Sequence, residues 1–177
     1  MADILAGDPS GLTLLVERHH GPLLGYLYRL LDGDRALAED LVQETFERVL
    51  RQRTFRPSNR LKPWLYAIAT NLARDHFRAA RRRGPVAGAG DLPDRPDPDP
   101  GPEDVTVVRD QARGVAEAIG RLAPEYRETL LLRFYQGLSL QEIAEALAVP
   151  VGTVKSRLSV GTRRLRDLLQ EEGEETS

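Results

Sequence analysis

Apolar residues recur every three or four positions over most of the 177-residue chain, the spacing of helices that bury one face. Leu12, Leu15, Val16, Leu23, Leu24, Leu27, Tyr28 and Leu31 form the first such run. Pro22 lies inside it and predicts two helices or one kinked helix, with the proline in a first turn. Asp34 is placed to cap a second helix over about 35–52, whose stripe is Ala38, Leu41, Val42, Thr45, Phe46 and Val49. A third helix opens at Leu61-Lys62-Pro63-Trp64 and runs to about Arg83, with Leu65, Ile68, Ala69, Leu72 and His76 inward. The pattern stops, then resumes near Val105 through Val115, Ile119 and Leu122. Ala123-Pro124 opens a further helix in which Tyr126, Leu130, Leu131 and Phe134 pack inward, and Gly137 ends it as a C′ residue. No stretch alternates with the period of a strand. The expected fold is all-α: two small helical domains, the C-terminal one carrying a helix-turn-helix.

That last element occupies Ser139 to Arg166. Ser139 and Glu142 have capping-box spacing, and Ile143 and Leu147 give the following helix one buried face. Pro150 pushes the residue before it out of the α region and breaks the pattern. A second helix starts near Val151, with Val154, Leu158, Gly161 and Leu165 on one side and Ser156, Ser159 and Arg163 opposite, flanked by Lys155. A short basic, hydroxyl-bearing face on the second helix of such a pair suits the major groove.

Two other polar faces stand out. Asp40, Gln43, Glu44 and Glu47 recur at i, i+3, i+4 and i+7, an acidic strip that is either a solvated face or a dock for a basic partner. On the third helix Asn71, Arg74, Arg78 and Arg81 fall within about one quadrant of the helical wheel. Trp64 and Tyr66 flank its start, and an arginine-rich loop (Arg53 to Arg60) precedes it. Aromatics that stack on an unpaired base beside arginines that hold phosphates suit single-stranded or melting DNA.

The net charge is −2, but it is segregated. Residues 1–83 hold 14 Lys/Arg against 10 Asp/Glu, 84–110 hold 2 against 7, and 111–169 hold 9 against 6. Four glutamates follow position 169 with no base. Two basic blocks separated by an acidic strip form a nucleic-acid footprint that the total conceals. Gly84 to Asp104 is dominated by proline, glycine and aspartate and reads as a linker. Extended, it would reach ~65 Å, enough for the two blocks to hold separate elements of one duplex. The division is therefore 1–83, a linker 84–104, a second domain 105–170, and an acidic tail 171–177 that should fray. There is no cysteine, which excludes a disulfide framework and a thiolate metal site. No signal pattern and no apolar run of ~18 residues is visible, so a soluble, cytoplasmic protein is expected. With no nucleophile–base set, phosphate-cradling glycine loop or metal-ligand spacing, no enzyme, metal or cofactor is expected.

Three stretches then carry a family resemblance: AEDLVQETFERVL (Ala38 to Leu50), LKPWLYAIATNLARDHFRAARRR (Leu61 to Arg83) and LAPEYRETLLLRFYQGLSLQEIAEALAVPVGTVKSRL (Leu122 to Leu158). In this order and spacing the chain resembles an extracytoplasmic-function sigma factor, the small two-domain type of bacterial RNA polymerase sigma subunit. The resemblance covers nearly all of the chain apart from the linker and tail. It implies that Asp40, Leu41, Gln43, Glu44, Phe46 and Glu47 dock on the clamp coiled coil of the polymerase largest subunit. It implies a minus-ten DNA surface of Arg60, Lys62, Trp64, Asn71, Arg74, Arg78 and Arg81, with Asn71 near a flipped non-template base. It implies a minus-thirty-five surface of Thr153, Lys155, Ser156, Arg157, Ser159 and Arg163. The linker would thread toward the RNA exit path. The implied partners are core RNA polymerase, promoter DNA and an anti-sigma factor, with the chain monomeric on the polymerase.

Two departures matter. Ser159-Val160-Gly161-Thr162 stands where members of the family commonly carry an aromatic or histidine and then arginines, and Ala148 replaces a frequent turn glycine. The alanine costs little only if its φ stays negative. The alternative reading is a free-standing helix-turn-helix repressor or activator. It would read palindromic half-sites as a dimer and leave the Asp40 strip and the Asn71 helix without a task.

Overall fold

A computed structural model of the chain describes residues 9–51, 60–82 and 105–175, with side-chain surroundings for 13–51, 60–82 and 113–171. The loop before Arg60, the linker 84–104 and the side chains of 172–177 in the acidic tail lie outside these residues. The described regular structure is helical throughout: α1 (Pro9–Leu30), α2 (Arg35–Arg51), α3 (Leu61–Arg82), α4 (Val105–Arg121), α5 (Pro124–Leu130), α6 (Leu140–Leu147) and α7 (Val151–Glu175). A π turn, Leu131–Tyr135, extends α5.

Most sequence expectations of helix position hold, for the reasons that generated them. The Asp34 carboxylate accepts the Leu37 N–H at 3.0 Å and starts α2. Asp32 and Gly33 make the turn before it, with φ of 54° and 83°. At α6 the capping box is complete: the Glu142 N–H donates to Ser139 Oγ at 3.2 Å and the Ser139 N–H donates to Glu142 Oε2 at 2.8 Å. That backbone hydrogen bond is the main reason the Glu142 carboxyl is held below its ordinary value, with Arg60 adding to it.

Four expectations are corrected. Helix α1 is a single helix with Pro22 in its interior, not in a first turn. The proline is solvent-facing while Leu23, Tyr26, Leu27 and Leu30 beside it are buried, so burial of that stripe outweighs the missing N–H. Phe134 does not pack inward: it is 71% exposed. The π turn, in which Phe134 lies, fits one more residue into the turn and rotates its residues away from the α-helical register. Ala148 sits in the left-handed region at φ 54°, so the condition under which it would cost little is not met. Helix α7 continues to Glu175, past the break expected after 170.

The larger surprise is that α1–α3 and α4–α7 share one core. Leu23, Leu27, Leu65 and Ala69 belong to the same buried cluster as Leu131, Leu132, Leu138 and Ile143. Polar groups stitch the seam. Gln136 is buried; its Oε1 accepts from the Tyr66 hydroxyl at 2.5 Å and its Nε2 donates to the Pro22 carbonyl at 3.1 Å. Tyr66 meets Tyr26 edge to face at 5.2 Å, and the Tyr26 hydroxyl pairs with Thr70 Oγ1 at 2.8 Å. Arg127, also buried, donates to the Leu30 carbonyl at 3.0 Å, to Asp32 at 2.7 Å and to the Gly120 carbonyl. Because a buried polar group without a partner costs free energy, these matched pairs fix one docking geometry and penalise others.

Candidate nucleic-acid interface

Helix α7 packs on α5 through Gly161, where an added Cβ would meet Tyr126 Cβ and Leu130 Cδ1 at 3.2 Å. The glycine in the departure run is therefore a packing requirement: it lets the two helices approach. On the other side of α7, Lys155, Ser156, Ser159 and Arg163 are exposed and Thr153 is half-buried. Ser159 and Arg163 line a shallow groove with Leu158, Thr162 and Arg166. The structure thus brings the expected α7 face together, and Arg166 extends it by nearly one turn. Arg157 is different. Its side chain is 24% exposed and its Nη1 lies 3.7 Å from Glu128 Oε1, too long for a hydrogen bond.

The α3 face divides. Asn71, Arg78 and Arg81 are exposed, and Arg78 pairs with Asp75 at 2.5 Å. Arg60 is exposed and 3.5 Å from Glu142. Lys62 Nζ, in contrast, donates to the Gln136 carbonyl at 2.5 Å, and Trp64 is half-buried against the core. Tyr66 is buried and bonded to Gln136, so it offers no stacking face in this conformation. Arg74 makes a two-pronged pair with Glu128, Nε to Oε2 at 3.0 Å and Nη2 to Oε1. That charge-assisted pair raises the Arg74 pKa above its already high value.

On α2, Asp40, Gln43, Glu44, Glu47 and Arg51 line one shallow groove. Glu44 pairs with Arg48 at 2.8 Å and Glu47 with Arg51 at 3.3 Å, so the strip is acidic chiefly toward its Asp40 end. Leu41 and Phe46 are 6% and 7% exposed and belong to the core, where they support the strip from beneath. Among the described residues no three potential metal ligands come together, and no helix is long and apolar enough to cross a membrane.

Sequence reasoning missed Arg127, Glu128 and Gln136. A signal existed for two of them. Arg127 lies four residues and Glu128 three residues before Leu131, so both fall on the inward stripe of α5. A basic and an acidic residue side by side on an apolar stripe predict a buried partner.

A capped α6, a left-handed turn and a long α7 with a basic, hydroxyl-bearing face define a DNA-binding protein of the helix-turn-helix class. Family models narrow this: Sigma-70 region 2 matches residues 15–83 and Sigma-70, region 4 matches residues 112–165. The chain is 36% identical over 173 residues to the ECF RNA polymerase sigma factor SigL of Mycobacterium tuberculosis, covering 95% of this chain and 94% of that one. It is 37% identical over 164 residues to the ECF sigma factor SigE of Mycolicibacterium smegmatis, covering 92% of this chain but only 63% of that longer protein. Among solved structures, the sigma factor RpoE bound to the anti-sigma factor NepR from Bartonella quintana matches with a TM-score of 0.73 and 25% identity, over 89% of this chain and 96% of that one. The chain belongs to the ECF family of RNA polymerase sigma factors.

Proposed function

We propose that this chain is a promoter-specificity subunit that binds core RNA polymerase in the bacterial cytoplasm, reads two promoter elements and helps open DNA. The α2 groove from Asp40 to Glu47 is the polymerase dock, with Leu41 and Phe46 shaping it from below. The α3 face of Asn71, Arg78 and Arg81, joined by Arg60, Lys62, Trp64 and Arg74 once those are released, takes the minus-ten element. The α7 face of Thr153, Lys155, Ser156, Arg157, Ser159 and Arg163 takes the minus-thirty-five element. Residues 1–83 and 105–170 serve as the two functional domains, and 84–104 as the connector between them. The chain carries out no covalent chemistry; nucleotide addition belongs to the polymerase. The Bartonella quintana relative was solved with an anti-sigma factor, and a protein inhibitor of the same kind is proposed for this one.

The observation that carries this reading is the presence of three separate exposed polar surfaces, on α2, α3 and α7, on a chain of this family. A free-standing repressor would use only the α7 surface. The test is reconstitution with core polymerase. Asp40→Lys with Glu44→Lys should abolish promoter-dependent transcripts while circular dichroism stays native. Asn71→Ala should impair promoter opening more than duplex binding. Tight operator binding by the isolated chain with no effect on polymerase would sink the proposal, and normal permanganate reactivity in the Asn71→Ala complex would remove that residue's role.

A further inference from the structure

One carboxylate faces arginines from both of the DNA-reading helices. Glu128 lies on α5 with its side chain 3% exposed. One of its oxygens accepts from Arg74 Nε at 3.0 Å and the other from Arg74 Nη2. The oxygen paired with Nη2 also lies 3.7 Å from Arg157 Nη1. Arg74 comes from α3 and Arg157 from the start of α7. Arg157 Nη1 has no hydrogen-bond partner among the described residues, so its charge is compensated by Glu128 alone at that atom. A planar carboxylate gripped by a guanidinium fork has the geometry by which arginine grips a phosphate.

We propose that Glu128 is an internal phosphate mimic that clamps the free chain shut, withholding Arg74 and Arg157 from DNA until the two halves part. The clamp is built into a wider seam. Gln136 covers Tyr66 and holds Lys62, so with Arg74 three groups of α3 are occupied at once. The proposal rests on the assignment of α3 and α7 to two promoter elements. Elements at about −10 and −35 lie ~25 base pairs apart, or ~85 Å along B-form DNA. Helices α3 and α7 cannot reach both while one carboxylate touches an arginine of each. The shut form is therefore an off-DNA state, and DNA phosphates compete with Glu128 for the same two guanidinium groups.

The chain contains no cysteine, so Ala36→Cys and Gln170→Cys, both at exposed positions, provide a clean pair for spin or dye labels. In the free protein the pair should report one short distance. Glu128→Gln should shift the population to longer, broader distances. It should also tighten binding of a random-sequence 30-base-pair duplex about tenfold, with the slope of log affinity against log salt steeper by about one unit per arginine released. Arg74→Gln, at the partly exposed rim of the clamp, should lengthen the distance in the same way and gives the answer should Glu128→Gln fail to fold. An unchanged distance in the folded variants would overturn the proposal. So would opening without tighter duplex binding in Glu128→Gln. Neither readout involves polymerase, so loss of promoter-specific transcription in reconstitution, with these shifts intact, would count against the functional assignment and not against the clamp.

Discussion

Helices α3 and α7 both carry basic side chains on one face, yet they present them differently. On α7 the polar face from Lys155 to Arg163 is open to solvent, apart from Arg157 turned toward Glu128. On α3 the face is divided: Asn71, Arg78 and Arg81 are open, while Lys62, Tyr66 and Arg74 are engaged by Gln136 and Glu128 of the other half. The difference does not come from residue type, since arginines stand on both sides of the split. It comes from how far along each helix the seam extends: Arg74 and Arg81 point in nearly the same direction on α3, and only Arg74 meets Glu128. Availability to a ligand is thus a property of the docking of the halves, not of either helix.

Removing the seam should make α3 resemble α7. Arg127→Ala deletes a buried guanidinium that serves the Leu30 and Gly120 carbonyls and Asp32, leaving carbonyls without donors. A loss of ~3 kcal/mol is expected in urea denaturation. Hydrogen exchange should speed up at the seam side of α3 while α7 amides change less. Protection that falls in α7 but not in α3 would show that Arg127 stabilises the C-terminal half alone.

Gly161→Ala probes the opposite face of the comparison. The added methyl would press on Tyr126 Cβ and Leu130 at 3.2 Å, so α7 must shift on α5 at a cost of about 1–2 kcal/mol. Because Glu128 lies on α5, the same shift should disturb Arg157 more than Arg74. Nitrogen-15 spectra of the arginine side chains would distinguish the two.

Ser139→Ala should cost about 1 kcal/mol by removing one side of the capping box. The acid dependence of the other side comes from Glu142. Its pKa is lowered in the folded chain, chiefly by the Ser139 N–H. Its contribution is therefore present above the ordinary carboxylate value and lost as pH falls through the lowered one. The stability gap between the native chain and Glu142→Ala should close over that acid window; a gap independent of pH would assign the effect to packing.

The smallest change should be a gain. Ala148→Gly relieves a left-handed alanine at φ 54° between α6 and α7 and should stabilise by about 0.5–1 kcal/mol. Duplex binding by the α7 face should be unaltered, since the turn geometry is retained.

Much of the secondary structure was legible from the chain alone. The i, i+3, i+4 stripes of α2, α3 and α7, the Asp34 cap and the Ser139–Glu142 box arise from neighbours within one turn, and local sequence specifies local hydrogen bonds. The acidic strip on α2 and the exposed α7 face come from the same periodicity. Phe134 was misplaced because a π turn changes the register that an uninterrupted 3.6-residue period would keep. Pro22 was misplaced because burial of the stripe around it outweighs its local preference.

The seam was not legible. Tyr66 and Gln136 are 70 residues apart, Arg74 and Glu128 54, and Gln136 and Pro22 114. Each polar member reads, by itself, as an ordinary side chain on an amphipathic helix. Sequence alone determined that the chain makes amphipathic helices, where most of them start, and which faces carry acid, base or hydroxyl. Only the tertiary structure decided which of those charges meet each other instead of a ligand. The reason is physical: periodicity sets which way a side chain points, whereas burial of a charge depends on a partner brought from elsewhere in the chain.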